Sequence, residues 1–237
     1  MPDFSKRSFA AEIMDDLRYT GPLMDRTLHE LEIINRLLGG NAVTLTALGK
    51  MTSKHSGRSV LRIADLGCGR GDMLRLIDAW AKKRKQRVEL IGVDGNEYVI
   101  ASARKNLIHL PEIKLLTQNI LDDNFRQHNF DIIIGTLFYH HFTDDELVKF
   151  FTVLKNNTRV GFIINDIHRH PVAYHAIRIL TSWFSKSSMV KYDAPLSVLR
   201  AFKKFEIENI LKKSGLQNFT IRWCWAFRWQ VLVYSRE

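Results

Sequence analysis

Hydrophobic and polar positions follow a regular order from residue 60 onward. Short, nearly continuous apolar runs predict strands over residues 60–65, 88–93, 113–118, 130–135 and 158–165. Apolar residues at helical spacing predict helices between most of these strands, over residues 72–84, 96–108 and 144–155. Strands that are apolar throughout are buried on both faces, which is typical of a parallel sheet covered by helices. The pattern therefore predicts a doubly wound α/β fold.

The N-terminal part of the chain has a helical pattern instead. Residues 8–38 predict two helices that are divided at Gly21-Pro22, and the second of them has a C-terminal stop at Gly39-Gly40. A third helix is predicted over residues 43–51. We expect these helices to form a cap beside the sheet.

The C-terminal part predicts a hairpin and, before it, an insertion. Residues 218–235 contain two β-rich runs with a break near Ala226, which indicates a hairpin. Aromatic residues alternate along it and predict one buried sheet face, while Trp225 or Phe227 near the tip is placed to border a pocket. The chain between the fifth strand and the hairpin is far longer than a βα connection needs. We therefore expect residues 167–202 to form an inserted lid.

Length and composition are those of a single domain, with 237 residues of which 46% are hydrophobic. Within it, residues 1–57 are the expected helical cap and residues 58–237 the core. No apolar run approaches the roughly 20 residues of a membrane span, and the N-terminus has no apolar stretch typical of a secretory signal. Cys68 and Cys224 are too few for a disulfide framework, so a cytoplasmic location is expected. The sequence leaves open whether the protein forms a homodimer.

The net charge of +10 raises the question of a nucleic acid partner. The densest basic run, Lys82–Arg87, closes a predicted helix and complements the negative end of that helix. In a doubly wound fold this helix end lies opposite the edge where ligands bind. We interpret the run as solvated surface and do not expect a nucleic acid partner.

The stretch Asp65-Leu-Gly-Cys-Gly-Arg-Gly71 between the first strand and the next helix indicates a ligand site. Glycine has no Cβ and tolerates positive φ, so a ligand can approach the bare backbone and the helix N-terminus. The second strand ends at Asp94, where a carboxylate is placed to accept hydrogen bonds from a ribose diol. Together these features predict a cofactor that contains adenosine.

The loop also distinguishes between cofactors. The NAD fingerprint is G-x-G-x-x-G, whereas this loop has G-x-G-x-G preceded by Asp65, an acid that suits the positive charges of S-adenosylmethionine (SAM). The loop resembles motif I of class I SAM-dependent methyltransferases, and Ile91-Gly-Val-Asp94 resembles their second motif. The resemblance implies a Rossmann-like, seven-stranded sheet with an antiparallel terminal hairpin, and SAM as the cofactor with S-adenosylhomocysteine (SAH) as its product. An NAD oxidoreductase is a distant alternative.

The same resemblance implies which residues hold the cofactor. The residue after the third strand usually meets the adenine, and here it is Asn119 with the apolar Ile120, or Asp122 if the register differs. The complete predicted set also includes the motif I loop, the end of the second strand and the end of the fourth strand: Asp65, Gly67, Cys68, Gly69, Gly71, Asp94, Gly95, Asn119, Ile120, Thr136 and Leu137.

The stretch Thr136-Leu-Phe-Tyr-His-His-Phe142 resembles motif IV of small-molecule methyltransferases, which lies beside the transferred methyl group. It lacks the N-P-P-Y sequence of adenine and glutamine N-methyltransferases and the cysteine pair of RNA cytosine enzymes. This argues against a nucleic acid base as the acceptor. Thr143 and Glu146 just beyond it form a predicted capping box and are structural.

A hydroxyl acceptor needs a general base, and histidine is the usual choice. We favour His140 and His168 as catalytic, because the adjacent His140 and His141 cannot both point into one pocket from a regular segment. A metal site formed by Asp166, His168 and His170 has little support, so no metal is expected. Side chains predicted to contact the acceptor are Tyr139, His141, Arg169 and Arg200, although Arg169 and Arg200 could instead pair with Asp166 or Asp193.

Three further stretches point to a subgroup: Ile13-Met-Asp-Asp16, Asp166-Ile-His-Arg-His-Pro171 and Tyr192–Phe202. They resemble bacterial methyltransferases found with polyketide and phenolic-lipid pathways. This resemblance implies O-methylation of a small hydrophobic phenolic or polyketide-type metabolite. The alternatives are an RNA or protein methyltransferase, and a non-catalytic module that binds SAM.

Overall fold

Seven strands form one sheet in the order β3-β2-β1-β4-β5-β7-β6 in a computed structural model, which describes residues 2–53 and 59–235. The first five strands are parallel, and β7 lies antiparallel between β5 and β6. The predicted seven-stranded sheet with a terminal antiparallel hairpin is confirmed. The strands are β1 (Leu61–Leu66), β2 (Val88–Asp94), β3 (Lys114–Thr117), β4 (Phe130–Thr136), β5 (Thr158–Ile167), β6 (Phe219–Cys224) and β7 (Arg228–Tyr234).

The strand order reverses between β1 and β4, because the chain builds β2 and β3 on one side of β1 and then crosses to the other side. Doubly wound sheets bind their ligands at such a switch point, outside the carboxyl ends of the parallel strands. The loops that follow β1, β2 and β4 all leave the sheet at this edge. The topology therefore brings the predicted cofactor and acceptor motifs together.

Within the described residues, eight α-helices accompany the sheet. Helices α3, α4 and α5 fall where the sequence predicts them, and Thr143 and Glu146 form the expected capping box at the start of α5. Two helices after β5, α7 and α8, have no counterpart in the predictions. The helices are α1 (Pro22–Leu37), α2 (Gly40–Met51), α3 (Asp72–Arg84), α4 (Glu97–Asn106), α5 (Asp144–Asn157), α6 (Pro171–Phe184), α7 (Ser188–Arg200) and α8 (Lys204–Lys213).

The predicted helix before Gly21-Pro22 is wrong. Residues 8–20 are irregular apart from one 3-10 turn, Ile13–Asp15. The reason is tertiary: the backbone N–H groups of Ile13 and Met14 donate to the Asp193 carboxylate on α7, and the Ser8 N–H donates to the Leu199 carbonyl. These contacts with α7 hold the segment against the site and outweigh its helical pattern.

Packing on both faces buries the central strands. One apolar cluster joins β4, β5 and β7 to α5 and α8, and a second joins β1 and β4 to α2 and α3. The predicted boundary between cap and core, at residues 57 and 58, lies outside the described residues. None of the helices in the described part of the chain is long and apolar enough to cross a membrane.

Candidate active site

A cavity of about 920 Å³ opens at the carboxyl edge of the parallel strands. Its floor is formed by the loops that follow β1, β2, β3 and β4, and its apolar walls by α1, α6 and α7. Ten of the eleven predicted cofactor residues line it: Asp65, Gly67, Cys68, Gly69, Asp94, Gly95, Asn119, Ile120, Thr136 and Leu137. The exception is Gly71, which instead caps the N-terminus of α3.

The glycine loop after β1 has the properties that a close ligand requires. Gly67 and Gly69 have φ of 64° and 51°, a region that favours glycine. A Cβ on Gly67 would lie 2.3 Å from the Phe138 ring, so only glycine allows the motif IV loop to pack there. A Cβ on Gly69 would meet only the Leu28 side chain, at 3.9 Å, so the Gly69 backbone faces open space. The loop therefore presents bare backbone to the cavity.

Two buried carboxylates face this loop. Burial raises the pKa of Asp65 well above its ordinary value, and the nearby charges of Asp72 and Asp94 raise it further. Burial also raises the pKa of Asp94, whose oxygens accept hydrogen bonds from the Gly69 and Asn96 N–H groups at 3.3 and 3.0 Å. A positively charged ligand group stabilises the ionised form of a carboxylate that is buried beside other carboxylates. The bare loop and the acid pair thus fit a cofactor that carries an ammonium and a ribose.

The loop after β3 presents Asn119 and Ile120 to the cavity, whereas Asp122 does not line it. The Asn119 side-chain oxygen accepts a hydrogen bond from the Leu121 N–H at 3.0 Å, which fixes the loop. At the end of β4, Leu137 has φ of 56°, and its N–H donates to the Asn165 carbonyl at 2.8 Å. A positive φ at leucine is strained, and such strain is typical of functional loops.

His140 is held in a defined orientation by Asp166. Its Nδ1 lies 2.7 Å from Asp166 Oδ1, and its backbone N–H donates to Oδ2 at 3.1 Å. Burial alone would raise the pKa of Asp166, but the charge and hydrogen bond of His140 and the Ile167 N–H lower it below its ordinary value. An ionised carboxylate only accepts hydrogen bonds, so neutral His140 carries its proton on Nδ1. Its Nε2 is left as a lone pair that forms no hydrogen bond within the described residues.

His141 belongs to a second chain of charges. Its Nδ1 lies 2.7 Å from Asp15 Oδ1, and the other Asp15 oxygen accepts from the Arg200 guanidinium. Burial would raise the pKa of Asp15, but the hydrogen bonds from His141 and Arg200 lower it. Arg200 also donates to the carbonyls of His140 and His141, at 3.3 and 2.6 Å. The segment that carries both histidines is thus fixed from the N-terminal segment and from α7.

Glu12 lies between these two chains of charges. Its Oε1 is 3.7 Å from His140 Nε2 and 3.6 Å from Arg200 Nε, and it accepts no hydrogen bond from the described residues. Burial raises the pKa of Glu12 to about 7, although the charges of His141 and Arg200 act to lower it. Glu12 therefore places a carboxyl that is half ionised near neutral pH beside the His140 lone pair.

Both adjacent histidines line the cavity. They lie on a 3-10 turn, Tyr139–His141, rather than on a regular strand, and their ring centroids are 4.4 Å apart. Phe138 at the start of this turn and Leu137 before it break the strand geometry. The two side chains therefore reach the same space.

Four other predicted residues do not line the cavity, and their role toward the acceptor stays a prediction. Tyr139 is fully buried, with its ring packed against Gly135 and Phe151. Arg200 holds the backbone of the histidine turn, as described above. The other two are Arg169, which is buried in a salt bridge with Glu206, and His168, whose N–H donates to the Phe227 carbonyl.

The hairpin aromatics do not form one buried face as predicted. Trp229 is buried, but Trp223 and Trp225 are 47% and 76% exposed. Trp225 and Phe227 line the cavity, in agreement with the expectation that the hairpin tip borders a pocket. The tip meets α6, because the Phe227 ring stacks on His170 with a centroid distance of 5.0 Å.

Glu12, His140 and His141 could also hold a metal ion, since each offers one ligand atom and these atoms lie within 4.8 Å of one another. This is not the set of Asp166, His168 and His170 considered from the sequence. The Arg200 guanidinium, however, already supplies a cation 3.6 Å from the Glu12 oxygen. A metal ion bound to the same carboxylate would lie close to this guanidinium, and two positive charges at close range repel each other.

The sequence reasoning missed Arg7, Glu12 and Asp15 as site residues. Arg7 donates to the carbonyls of His140 and Phe142 and pairs with Asp144 at the start of α5. Their signal is weak, because Glu12 and Asp15 lie in a segment whose pattern predicts a helix, and Arg7 directly precedes it. Within this segment, only the stretch Ile13-Met-Asp-Asp16 carries a signal, which is its resemblance to bacterial methyltransferases.

The chain is similar to known methyltransferases in sequence and in fold. A family model described as a methyltransferase domain matches residues 63–161, from β1 into β5. The magnesium protoporphyrin IX methyltransferase ChlM from Synechocystis, solved with SAH, aligns with a TM-score of 0.56 at 16% identity, covering 85% of this chain and 84% of that one. The family match and the shared fold support a class I SAM-dependent methyltransferase with SAM as its cofactor.

Other solved structures resemble this chain in fold. The plantazolicin methyltransferase BpumL, in complex with a triazolic desmethylPZN analog and SAH, aligns with a TM-score of 0.66 at 14% identity over 89% of this chain and 91% of that one. The CurJ carbon methyltransferase aligns with a TM-score of 0.60 at 13% identity over 83% and 54%. No curated protein matches the chain.

Proposed function

We propose that this methyltransferase O-methylates a small hydrophobic hydroxylated metabolite of phenolic or polyketide type, with His140 as the general base. One observation carries the proposal: the glycine loop and His140 line a single cavity whose remaining walls are mostly apolar. A volume of about 920 Å³ accommodates a cofactor and a small acceptor together. The resemblance in fold to BpumL and ChlM supports a small-molecule acceptor.

The cofactor would be held by the loops at the floor. Asp65 would pair with the ammonium group, since its carboxylate is buried among other acids. Asp94 would accept hydrogen bonds from the ribose, and Asn119 and Ile120 would contact the adenine. When bound, SAM supplies a methyl group on a sulfonium, so that an acceptor oxygen bonds to the methyl carbon while the carbon–sulfur pair returns to sulfur.

His140 would remove the proton of the acceptor hydroxyl. The Asp166 carboxylate fixes the proton on Nδ1, so the Nε2 lone pair, which is buried 3.7 Å from Glu12 Oε1, would accept the proton. Once Nε2 is protonated, the imidazolium is stabilised by Asp166 on one side and by the Glu12 carboxyl, 3.7 Å away, on the other. A base of this kind contributes about 10²- to 10⁴-fold to the rate.

The walls formed by α6 and α7 would select an apolar acceptor. Ala173, Ile177 and Leu180 on α6 and Val190 and Val198 on α7 line the cavity. Their spacing places them on the inner face of each helix. An RNA or a protein segment would need an open, polar surface at this edge.

Label transfer from methyl-tritiated SAM into a fractionated bacterial extract tests the proposal. We expect label in the organic-soluble fraction with wild-type protein and a loss of at least about 100-fold with His140→Asn, at unchanged SAH affinity. Label in RNA or protein would show that the acceptor is a macromolecule and would contradict the proposed small-molecule acceptor. SAH binding without any methyl transfer would indicate that the protein is a non-catalytic module that binds SAM.

A chelator separates the general base from a metal. Because Arg200 supplies the cation beside Glu12, EDTA should leave the transfer rate unchanged. A rate that falls with EDTA and returns with a divalent cation would instead assign His140, His141 and Glu12 to a metal ion.

A further inference from the structure

Four arginine side chains are buried in the described residues, and one of them forms no salt bridge there. Three form salt bridges, whereas Arg228 at the start of β7 forms none with a described carboxylate. A buried charge without a partner is costly unless a ligand supplies one. The paired arginines are Arg7, Arg169 and Arg200, whose partners are Asp144, Glu206 and Asp15, respectively.

The Arg228 guanidinium belongs to the cavity. It lines the cavity, its Nη1 reaches Asn165 Oδ1 only at 3.5 Å, and its Nε has no hydrogen-bond partner in the described part of the chain. Burial lowers the pKa of Arg228 to about 10, although the charge of Asp166 acts to raise it, and the side chain stays charged at neutral pH. The side chain is thus a cation with free donors at the cavity wall.

The start of α2 adds to the positive potential at this point. A Cβ on Gly40 would lie 2.7 Å from Arg228 Cζ, so glycine allows the guanidinium to pack against the first turn of α2. No side chain of the described residues caps this helix N-terminus, and Asn41 in its first turn lines the cavity. Helix N-termini attract anions. A guanidinium beside free backbone N–H groups is an arrangement suited to a carboxylate.

We propose that Arg228 and the N-terminus of α2 bind a carboxylate of the acceptor, so that the acceptor is an apolar molecule with an acidic group. The strand order favours the acceptor over the cofactor. Asp65 on β1 would hold the cofactor ammonium, and β7 lies three strands away, about 14 Å at the usual strand spacing. This separation of the two strands places Arg228 nearer to the acceptor side of the cavity than to the cofactor loops.

Binding of decanoate and decanol to the SAH-saturated protein tests the site by calorimetry. We expect wild type to bind decanoate at least about tenfold more tightly than decanol, because only the acid forms charge-assisted hydrogen bonds. Arg228→Met should abolish this preference and retain the decanol affinity. Arg222→Met, an exposed arginine on β6 of the same hairpin, should keep it. Equal binding of both probes by wild type, or a preference that survives Arg228→Met, would overturn the proposal.

SAH and methylthioadenosine, which lacks the amino-acid part, distinguish the two carboxylate sources. The proposal expects Arg228→Met to bind both as wild type does. A loss of SAH affinity with unchanged methylthioadenosine affinity would assign Arg228 to the cofactor and contradict an acidic acceptor.

Thermal unfolding separates a binding role from a structural one. An unpaired buried charge destabilises the unliganded fold, so Arg228→Met should melt no lower than wild type. A lower melting temperature together with lost decanol binding would show that Arg228 is structural. The inference rests on the proposed small apolar acceptor, but its readouts are binding and melting, so its failure is distinguishable from a failure of methyl transfer.

Discussion

Asp65 and Asp166 occupy equivalent places in two parallel strands and yet differ in their electrostatics. Each is the penultimate residue of its strand, β1 or β5, and their exposures are 2% and 0%. Burial acts to raise the pKa of both. The pKa of Asp65 stays raised because further acids surround it, whereas that of Asp166 is lowered because His140 and the Ile167 N–H outweigh burial. The protein itself supplies the partner of Asp166, and a ligand must supply the partner of Asp65.

The same difference separates the two halves of the site. The cofactor half consists of short loops at the ends of consecutive strands, and Asp65 and Asp94 in it form no salt bridge within the described residues. The acceptor half is built from residues far apart in sequence, whose charges are mostly paired, such as Asp15 with Arg200 and Asp166 with His140. We infer that unpaired carboxylates in the cofactor half bind the positively charged cofactor. In the acceptor half, ion pairs within the protein hold the general base in position.

The largest effect is expected from Asp166→Asn. The asparagine amide can donate to His140 Nδ1, which moves the imidazole proton to Nε2 and removes the lone pair that acts as base. We expect kcat to fall about 10²- to 10⁴-fold. Asp131→Asn is a matched control, since Asp131 accepts the Arg62 N–H at 2.8 Å at the opposite edge of the sheet. A similar loss of kcat in both variants would contradict the special role of Asp166.

Glu12→Gln should change how stability depends on pH. Because the folded protein holds the pKa of Glu12 near 7 against an ordinary 4.5, its stabilising contribution is complete below about pH 4.5 and is lost as pH rises to about 7. The loss corresponds to about 3 kcal/mol. Glutamine does not titrate, so the free energy of unfolding of Glu12→Gln relative to wild type should rise by that amount between pH 4.5 and pH 8.

Denaturant unfolding at the two pH values measures this difference. The exposed Glu112→Gln serves as the control and should show the same offset from wild type at both pH values. A Glu12→Gln offset that is independent of pH would mean that Glu12 is not held in its protonated form.

The smallest effect is expected from Tyr139→Phe. The Tyr139 hydroxyl is fully buried and has no hydrogen-bond partner in the described residues, so its removal should change the free energy of unfolding by less than about 1 kcal/mol. Because the side chain does not line the cavity, kcat/KM should stay at the wild-type value. Steady-state kinetics measures this effect. A fall in kcat/KM of more than about tenfold would support the prediction that Tyr139 contacts the acceptor.

Much of the fold could be predicted because its signals are local. The apolar runs of β1 and β2, the glycine loop and the Thr143–Glu146 capping box each specify their structure within a few residues. Ten of the eleven predicted cofactor residues line the cavity for the same reason, since each follows directly from a strand end.

The acceptor half could not be predicted in the same way. The partners of His140 and His141 come from Asp166 and Asp15, which are 26 and 126 positions away in the chain. The segment that carries Glu12 and Asp15 reads as a helix, and only its contacts with α7 keep it extended. Arg200 and Arg169 were predicted to face a ligand, but nothing local distinguishes a buried, paired arginine from one that lines a cavity.

The most direct test of this account is the SAH affinity of Asp65→Asn and Asp166→Asn, measured side by side by calorimetry. The account predicts that Asp65→Asn binds SAH about 10- to 100-fold more weakly than wild type, because the ligand ammonium loses its charged partner. Asp166→Asn should bind SAH within about twofold of wild type, since its carboxylate is satisfied by the protein. Equal losses in the two variants, or full affinity in Asp65→Asn, would contradict the division of the site into a cofactor half and an acceptor half.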